Sequence, residues 1–221
     1  MIKSTPQGEQ TPQSSTGTIE GAGGLEALIA RAHADAHNGP AEKERRIPPV
    51  ERWNPEFCGD LDMEIRADGT WFYMGTPIGR QQLVRLFSTV LRKDEDGRTY
   101  LVTPVEKIGI RVEDAHFIAV EMQVSGEGED QALTFRTNVG DVVEAGAEHG
   151  LRFVIEQQSG GLKPYILVRG RLEALLARSV MYELVALGEE IEVDGAIMFA
   201  VRSGGVVFPI MPAEELEDAL R

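Results

Sequence analysis

Cysteine is almost absent from this sequence, since Cys58 is the single cysteine among 221 residues. One cysteine excludes an internal disulfide and is typical of a reducing compartment. The sequence also lacks any apolar run close to the roughly 20 residues that span a bilayer. Its N-terminus has an early Lys3 but no apolar stretch of the signal-peptide type. We therefore expect a cytoplasmic protein without a membrane span.

Basic residues are few as well. The chain has 22 Lys and Arg against 36 Asp and Glu, which gives a net charge of −14. Binding to a nucleic-acid polymer needs a basic face that neutralises phosphates, so we predict no such partner. Local clusters of arginine inside an acidic whole still allow a small anionic molecule to bind.

Signatures of catalysis and metal binding are missing. No Gly-x-x-x-x-Gly-Lys phosphate loop is present. Asp60, Asp62 and Glu64 offer oxygen ligands to a divalent cation, but the EF-hand spacing fails and a solvated strand face is the favoured interpretation. The pair His33 and His37 has no third ligand, and Cys58 has no neighbouring base, so we expect a buried thiol there. The sequence predicts no catalytic residues and no metal site, and it indicates no particular cofactor.

The chain divides by composition into four segments. Residues 1–24 are rich in Ser, Thr, Gln and Gly, which predicts a disordered tail. Residues 25–50 have helical spacing followed by a proline-rich linker. The remaining chain is predicted to form two half-domains, 51–128 and 129–221, which meet near residues 125–132.

A repeated pattern suggests that the halves are related. An aromatic strand at 71–74 leads through Arg80 to an apolar run, and the strand 165–168 leads through Arg169 and Arg171 to another. The pattern predicts helices near 80–92 and 171–187, with Thr76 and Pro77 at the start of the first. The predicted fold class is α+β: internally duplicated, mostly antiparallel sheet with one main helix packed per half.

Several short motifs resemble a bacterial family, domain-of-unknown-function family 1285. They are Trp53-Asn54-Pro55, Cys58-Gly59-Asp60, Asp68-Gly69-Thr70-Trp71-Phe72-Tyr73, Thr76-Pro77-Ile78-Gly79-Arg80, Thr103-Pro104-Val105-Glu106-Lys107, Phe135-Arg136-Thr137-Asn138 and Pro164-Tyr165. The resemblance implies a duplicated core whose second half is loosely like a pleckstrin-homology fold. It also implies a ligand site between the halves for a nucleotide-like molecule and a role in signalling, with no established activity. His116 stands where the family often has proline, a departure from which we expect little effect on the site.

Arginines at turns and helix starts form the candidate site. Because a helix N-terminus carries partial positive charge, an arginine there indicates a compensating anion, and guanidinium groups suit phosphate or carboxylate. The alternative is that these arginines pair with some of the many acidic residues. The predicted ligand-binding residues are Arg80, Arg111, Arg136, Asn138, Arg169, Arg171 and Arg178.

The sequence thus favours a non-catalytic ligand-binding or sensing module for an anionic, nucleotide-like ligand. Two alternatives stay open. One is a protein-interaction scaffold, favoured by the acidic surface. The other is a metal-dependent hydrolase that uses Asp60, Asp62 or Asp141. Trp53, Trp71, Phe72 and Tyr73 provide candidate stacking surfaces, although such aromatics are more often part of the core.

Overall fold

The first half of the molecule is built on a six-stranded sheet. The structure is a computed structural model that describes residues 47–156 and 160–215. A 3-10 turn at Val50–Arg52 leads into the sheet, whose strands lie in the order β3-β2-β1-β6-β5-β4. These strands are β1 (Phe57–Ile65), β2 (Trp71–Tyr73), β3 (Thr76–Pro77), β4 (Leu91–Lys93), β5 (Thr99–Val102) and β6 (Lys107–Val112).

The second half contains another six-stranded sheet and a smaller one. The six strands lie in the order β10-β11-β12-β7-β8-β9. They are β7 (Phe117–Ser125), β8 (Ala132–Thr137), β9 (Val142–Glu144), β10 (Leu151–Ile155), β11 (Leu162–Arg169) and β12 (Leu172–Leu176). The third sheet is an antiparallel meander of β13 (Glu189–Val193), β14 (Ala196–Ser203) and β15 (Val206–Pro212).

The sheets are accompanied by helices α1 (Gln81–Thr89) and α2 (Arg178–Val185). Val84 and Phe87 form the buried side of α1, and Phe87 stacks on Trp71 at 6.2 Å between ring centroids. Val180 and Leu184 bury α2. Neither helix is long and apolar enough to cross a membrane.

The two large sheets have the same topology, which confirms the predicted internal duplication. In each, the first three strands form one antiparallel meander and the last three form another. The first and last strands then pair in parallel at the centre, β1 with β6 and β7 with β12. β1 to β6 therefore correspond in order to β7 to β12. The fold is α+β and mostly antiparallel, with one helix in each half.

The sequence pattern that suggested the duplication, however, compared elements that are not equivalent. Its first strand is β2, whereas its second strand is β11, the counterpart of β5. The helix α1 lies between the third and fourth strands of its half, while α2 follows the sixth. The prediction was right about the duplication and wrong about which segments correspond.

The second helix starts later than predicted. Residues 172–176 form strand β12, and the helix begins at Arg178 rather than near 171. Leu172, Ala174 and Leu176 are buried while the residues between them are half-buried, so this run has the two-residue period of a strand. Arg169 and Arg171 therefore flank a hairpin turn, in which Gly170 has a φ of +52°.

The first helix starts near residue 80 as predicted, but its predicted cap is wrong, and it ends at Thr89 rather than near 92 because Leu91–Lys93 forms β4. Thr76 and Pro77 form β3, which pairs with β2 through a two-residue turn in which Met74 and Gly75 both have positive φ. The helix α1 begins at Gln81, and Arg80 is its N-cap, with no side-chain capping bond. Proline is tolerated in β3 because this strand lies at the sheet edge.

One hydrophobic cluster runs through both halves. It includes Ile65 and Trp71 of the first half and Phe117, Phe135 and Leu184 of the second, and Trp71 is only 1% exposed. The chain passes from the first sheet to the second between Val112 and Phe117, upstream of the boundary expected near 125–132. The tail 1–24 and the helix predicted after it lie outside the described residues.

Candidate functional site

An open groove of about 510 Å³ lies where the two halves meet. Three parts of the chain that are distant in sequence form it: the segment before β1, the β4–β5 hairpin and the β11–β12 turn. The residues that line it are Glu51, Arg52, Trp53, Asn54, Arg92, Asp94, Glu95, Asp96 and Arg171. The groove is strongly polar and carries charges of both signs.

Arg92 holds two of these parts together. Its side chain is buried, and its Nη1 donates to the main-chain oxygens of Val50 at 2.9 Å and Trp53 at 2.6 Å. Its Nε and Nη2 donate to the carboxylate of Asp94 at 2.6 and 3.2 Å. Burial raises the pKa of Asp94, but hydrogen bonds from Arg92 and Lys107 outweigh it and lower that pKa. Arg92 is thus already bonded and fixes the floor of the groove.

The rim of the groove carries two exposed guanidinium groups. Arg171 donates to Glu95 at 2.8 Å, and the side chains are 51% and 87% exposed. Arg52 is exposed, and its side chain forms no hydrogen bond or ion pair with the residues the structure describes. Both groups are therefore accessible to a ligand, since an exposed pair such as Arg171–Glu95 contributes only about 0–1 kcal/mol.

The acidic wall of the groove is partly fixed by neighbours. Asp96 accepts hydrogen bonds from the Tyr100 hydroxyl at 2.5 Å and from the Arg98 backbone at 2.9 Å. The bond from Tyr100 is the main cause of the lowered pKa of Asp96, and the same bond raises the pKa of Tyr100. Glu51 lies against the backbone of Gly170, where any β-carbon would come within 2.6 Å of Glu51 Oε1.

Arg169 and Asn138 lie at the junction of the halves but do not line the groove. Arg169 donates to Asp141 at 2.5 Å and to the backbone oxygen of Ser88, at the end of α1, at 2.7 Å. Its guanidinium carbon lies 4.9 Å from the centre of the Phe117 ring. Asn138 accepts a hydrogen bond from the Ile118 backbone at 3.1 Å. Both side chains therefore have structural partners at this junction.

The other predicted arginines lie on separate elements outside the groove lining. Arg111 on β6 pairs with Asp62 at 2.9 Å, and Arg136 on β8 pairs with Glu121. Arg178 at the start of α2 donates to the Tyr182 hydroxyl at 3.0 Å, and Arg80 caps α1. Of the seven predicted residues, Arg171 lines the groove. Trp53, which the sequence suggested as a stacking surface, also lines it, whereas Arg52 and Arg92 were missed because no local motif contains them.

The carboxylates considered as metal ligands are engaged by arginines. Asp60 pairs with Arg98, and Arg111 lies 2.9 Å from Asp62 and 3.7 Å from Glu64. Among residues 47–156 and 160–215, no group of three or more His, Cys, Asp or Glu side chains is arranged to hold a metal ion. The prediction of a buried thiol is wrong, since Cys58 is exposed. Cys58 lies at the beginning of β1, where the strand faces solvent.

His116 lies in the connection between the two sheets and is 4% exposed. The backbone N–H of Glu173 donates to His116 Nδ1 at 3.3 Å, so the proton is on Nε2, which donates to Thr99 Oγ1 at 3.0 Å. Burial lowers the pKa of His116 to about 4, and the nearby charge of Lys93 adds to this effect. His116 is therefore a neutral link between β5 of the first half and β12 of the second.

These features define an internally duplicated α+β protein with a polar groove at the junction of its halves. Residues 48–115 match the family model described as Domain of unknown function (DUF1285), N-terminal domain. Residues 116–210 match the model described as Protein of unknown function (DUF1285), C-terminal domain. The chain belongs to the DUF1285 family, which confirms the resemblance found in the sequence motifs. The division at 115/116 coincides with the change from the first sheet to the second.

Two solved structures are similar to this chain. A DUF1285 family protein from Silicibacter pomeroyi DSS-3 shares 48% identity, with a TM-score of 0.74, over 86% of this chain and 97% of that chain. A DUF1285 family protein from Shewanella baltica OS155 shares 25% identity, with a TM-score of 0.45, over 57% of this chain and 91% of that chain. A search of curated proteins gave no match.

Proposed function

We propose that this protein is a non-catalytic binding module for a small, nucleotide-like anion, which it binds in the groove between its halves. The observation that carries the proposal is the presence of two exposed guanidinium groups, Arg52 and Arg171, on the rim of one groove beside Trp53. Of the arginines predicted from the sequence, the proposal uses Arg171.

Arg52 and Arg171 would bind the phosphate. A planar guanidinium donates two parallel hydrogen bonds to a phosphate, and such charge-assisted bonds are roughly twice as strong as neutral ones. Arg52 has no competing ion pair within the described residues, and the Glu95 partner of Arg171 is 87% exposed. A bound phosphate can replace Glu95 at little cost because exposed ion pairs are weak.

The rest of the groove favours a ligand with more than a phosphate. Glu51 and Asp96 would repel a bare anion, but their oxygens accept hydrogen bonds from sugar hydroxyl or base amino groups. Trp53 is half-buried and lines the groove, so its ring offers an apolar surface on which a base can stack. A nucleotide combines these three chemical features in one small molecule.

The carboxylates considered for a metal-dependent hydrolase favour a non-catalytic role instead. Asp60, Asp62 and Asp141 each form an ion pair with an arginine, and none of them lines the groove. A bound ligand would bridge Arg52, which precedes the first sheet, and Arg171, which lies in the second half. Such a ligand would stabilise the contact between the halves, and a signalling role is proposed on this basis. The cytoplasmic location and the lack of a nucleic-acid partner stay predictions from composition.

The test compares nucleotide binding in two arginine variants. Calorimetry with AMP and GMP should detect binding to the natural chain, with weaker binding of adenosine and of inorganic phosphate. Arg171→Ala should weaken nucleotide binding by about 1–3 kcal/mol, the scale of a lost charge-assisted hydrogen bond.

Arg136→Ala is the matched control, since Arg136 is 47% exposed and also has one exposed acidic partner, but lies on β8 outside the groove. It should leave nucleotide affinity unchanged. Equal affinity in the Arg171→Ala variant, or no heat and no thermal stabilisation with either nucleotide, would refute the proposed function.

A further inference from the structure

The edge strands of this protein differ in how well they are protected. An open strand edge invites pairing with another chain, and proteins usually block it by short length, charge, proline or burial. Most edges here follow that rule: β3 has only two residues, of which one is a proline, β4 is short and largely buried, and β9 has three residues. In the third sheet, β13 carries three glutamates and β15 carries two prolines. The exception is β10, with the sequence Leu-Arg-Phe-Val-Ile.

The backbone of β10 presents an open row of hydrogen-bonding groups. On its inner side, Gly150 accepts from the Leu167 N–H and Glu156 donates to the Gly161 oxygen. Because donors and acceptors alternate along an antiparallel strand, the N–H and C=O groups of 151, 153 and 155 point to the outer side. Those groups have no backbone partner there within the described part of the chain. Although β15 approaches β10, it belongs to a separate sheet.

The side chains of β10 add an apolar surface to this edge. Val154 is 37% exposed and Ile155 is 44% exposed, and Phe153 is half-buried beside them. A long, apolar strand at a sheet edge is a predicted pairing site.

We infer that a second copy of this chain pairs with β10 in antiparallel fashion, with the two-fold axis at Val154. In that register Phe153 lies opposite Ile155 of the other copy, and their outward backbone groups form the hydrogen bonds. Arg152 lies opposite Glu156 of the other copy, so opposite charges meet on both sides of the axis. A two-fold axis at Phe153 would instead set Arg152 opposite Val154.

The charges that flank β10 extend this complementarity. Within one chain, Arg152 pairs with Glu173 at 2.8 Å and Lys163 pairs with Glu156 at 3.1 Å. In the paired register these form an alternating row, from Glu173 through Arg152 to Glu156 and Lys163 of the other copy. Like charges would not face each other at any point of that row.

The inferred interface is small, because one edge of five residues buries far less than the roughly 1,000 Å² expected of a stable complex. We therefore expect a dimer in concentration-dependent equilibrium with the monomer. Sedimentation equilibrium of the natural chain should show a mass that rises towards twice the monomer value as concentration increases. Added salt should weaken the association, since exposed ion pairs contribute to it.

Val154→Lys tests the position of the axis. It sets two like charges opposite each other and should abolish the concentration dependence of the mass. Val142→Lys is the matched control, since Val142 is a 61% exposed valine on β9 at the opposite edge of the same sheet. It should leave the dimer intact.

A cross-linking variant tests the same register without added charge. Residues at a non-hydrogen-bonded antiparallel pair have Cα atoms about 4.5 Å apart, within disulfide range. Val154→Cys in a Cys58→Ser background should therefore form a covalent dimer on mild oxidation, whereas Val142→Cys in that background should not. The inference is overturned if the natural chain is monomeric up to its solubility limit. It is also overturned if Val154→Lys still dimerises, if Val142→Lys dissociates, or if Val154→Cys fails to cross-link.

Discussion

Two polar side chains connect the two halves of this protein, the half-buried Arg169 and the buried His116, while the buried Arg92 joins two segments of the first half. A buried charge is costly unless it is paired and hydrogen-bonded. Arg92 meets this condition with four hydrogen bonds. Arg169 has Asp141, the Ser88 oxygen and the Phe117 ring, while its Nε is buried without a partner. His116 avoids the cost by staying neutral.

The neutrality of His116 predicts how stability changes with pH. Its pKa is about 4 in the folded chain and about 6.5 when unfolded. Above pH 6.5 both states are neutral and stability is complete. As the pH falls from 6.5 to 4, the unfolded state binds a proton that the folded state refuses, so stability decreases, by about 3 kcal/mol in all.

Urea denaturation of the natural chain and of His116→Gln between pH 7 and pH 4 measures this effect. The glutamine variant should lose that part of the pH dependence, because its amide does not titrate. His149→Gln serves as the control, since His149 is only half-buried, and it should keep the dependence. If His116→Gln follows the pH profile of the natural chain, the assignment to His116 is wrong. The charges of Lys93, Glu173 and Arg169 also influence the pKa of His116, and they are the same in the natural chain and in the His149→Gln control.

At the scale of elements, one buried hydroxyl makes two of the hydrogen bonds that attach the third sheet to the second. Ser203 on β14 is fully buried, donates to the Ala145 oxygen at 2.7 Å and accepts from the Leu133 N–H at 2.8 Å. Nearby, Gln131 donates to the Arg202 oxygen at 2.7 Å. The meander β13–β15 is therefore positioned by bonds to the backbone of β8 and the segment after β9.

Ser203→Ala should lower the free energy of unfolding by about 1–3 kcal/mol, the cost of buried backbone groups that lose their partner. Hydrogen exchange should accelerate most in β13–β15, where the attachment is lost. Ser125→Ala, at the exposed end of β7, should change neither quantity appreciably. Uniform acceleration across all three sheets would show that Ser203 does not act at this attachment.

At the scale of the whole molecule, the duplicated sheets share one core. Ile65 and Trp71 of the first half belong to the same buried cluster as Phe117 and Phe135 of the second. The halves are also tied by Arg169 and His116. If either half folded alone, the apolar surface now buried between the halves would be exposed to water. Each Å² of that surface would cost roughly 25 cal/mol of folding free energy.

We therefore expect the described core to unfold in one cooperative step. Scanning calorimetry should give a calorimetric enthalpy equal to the van't Hoff enthalpy, as for a single two-state domain. Two resolved transitions, or a calorimetric enthalpy well above the van't Hoff enthalpy, would mean that each half is a stable unit by itself.

Local patterns in the sequence determined many of the elements. The pair Asp68-Gly69 is typical of a tight turn, and Gly69 has the positive φ that such a turn needs. The first helix also follows from local periodicity, and it appears as α1. Family membership was predicted from short motifs in the same way. These features depend on neighbours in sequence, so the sequence alone contains them.

Long-range contacts decided the rest. The run Leu172–Leu176 satisfies both helical and strand spacing, and its pairing with β7 and β11 makes it a strand. The groove unites residues 51–54, 92–96 and 171, which no local pattern connects. Arginines with similar sequence surroundings separate into Arg169, a half-buried residue that bonds to the other half, and Arg171, an exposed residue on the groove rim. The sequence by itself determined the elements that form through local bonds. Only the tertiary structure decided which distant charges meet, because the strength of each ion pair depends on its solvent exposure and on the distance between the partners.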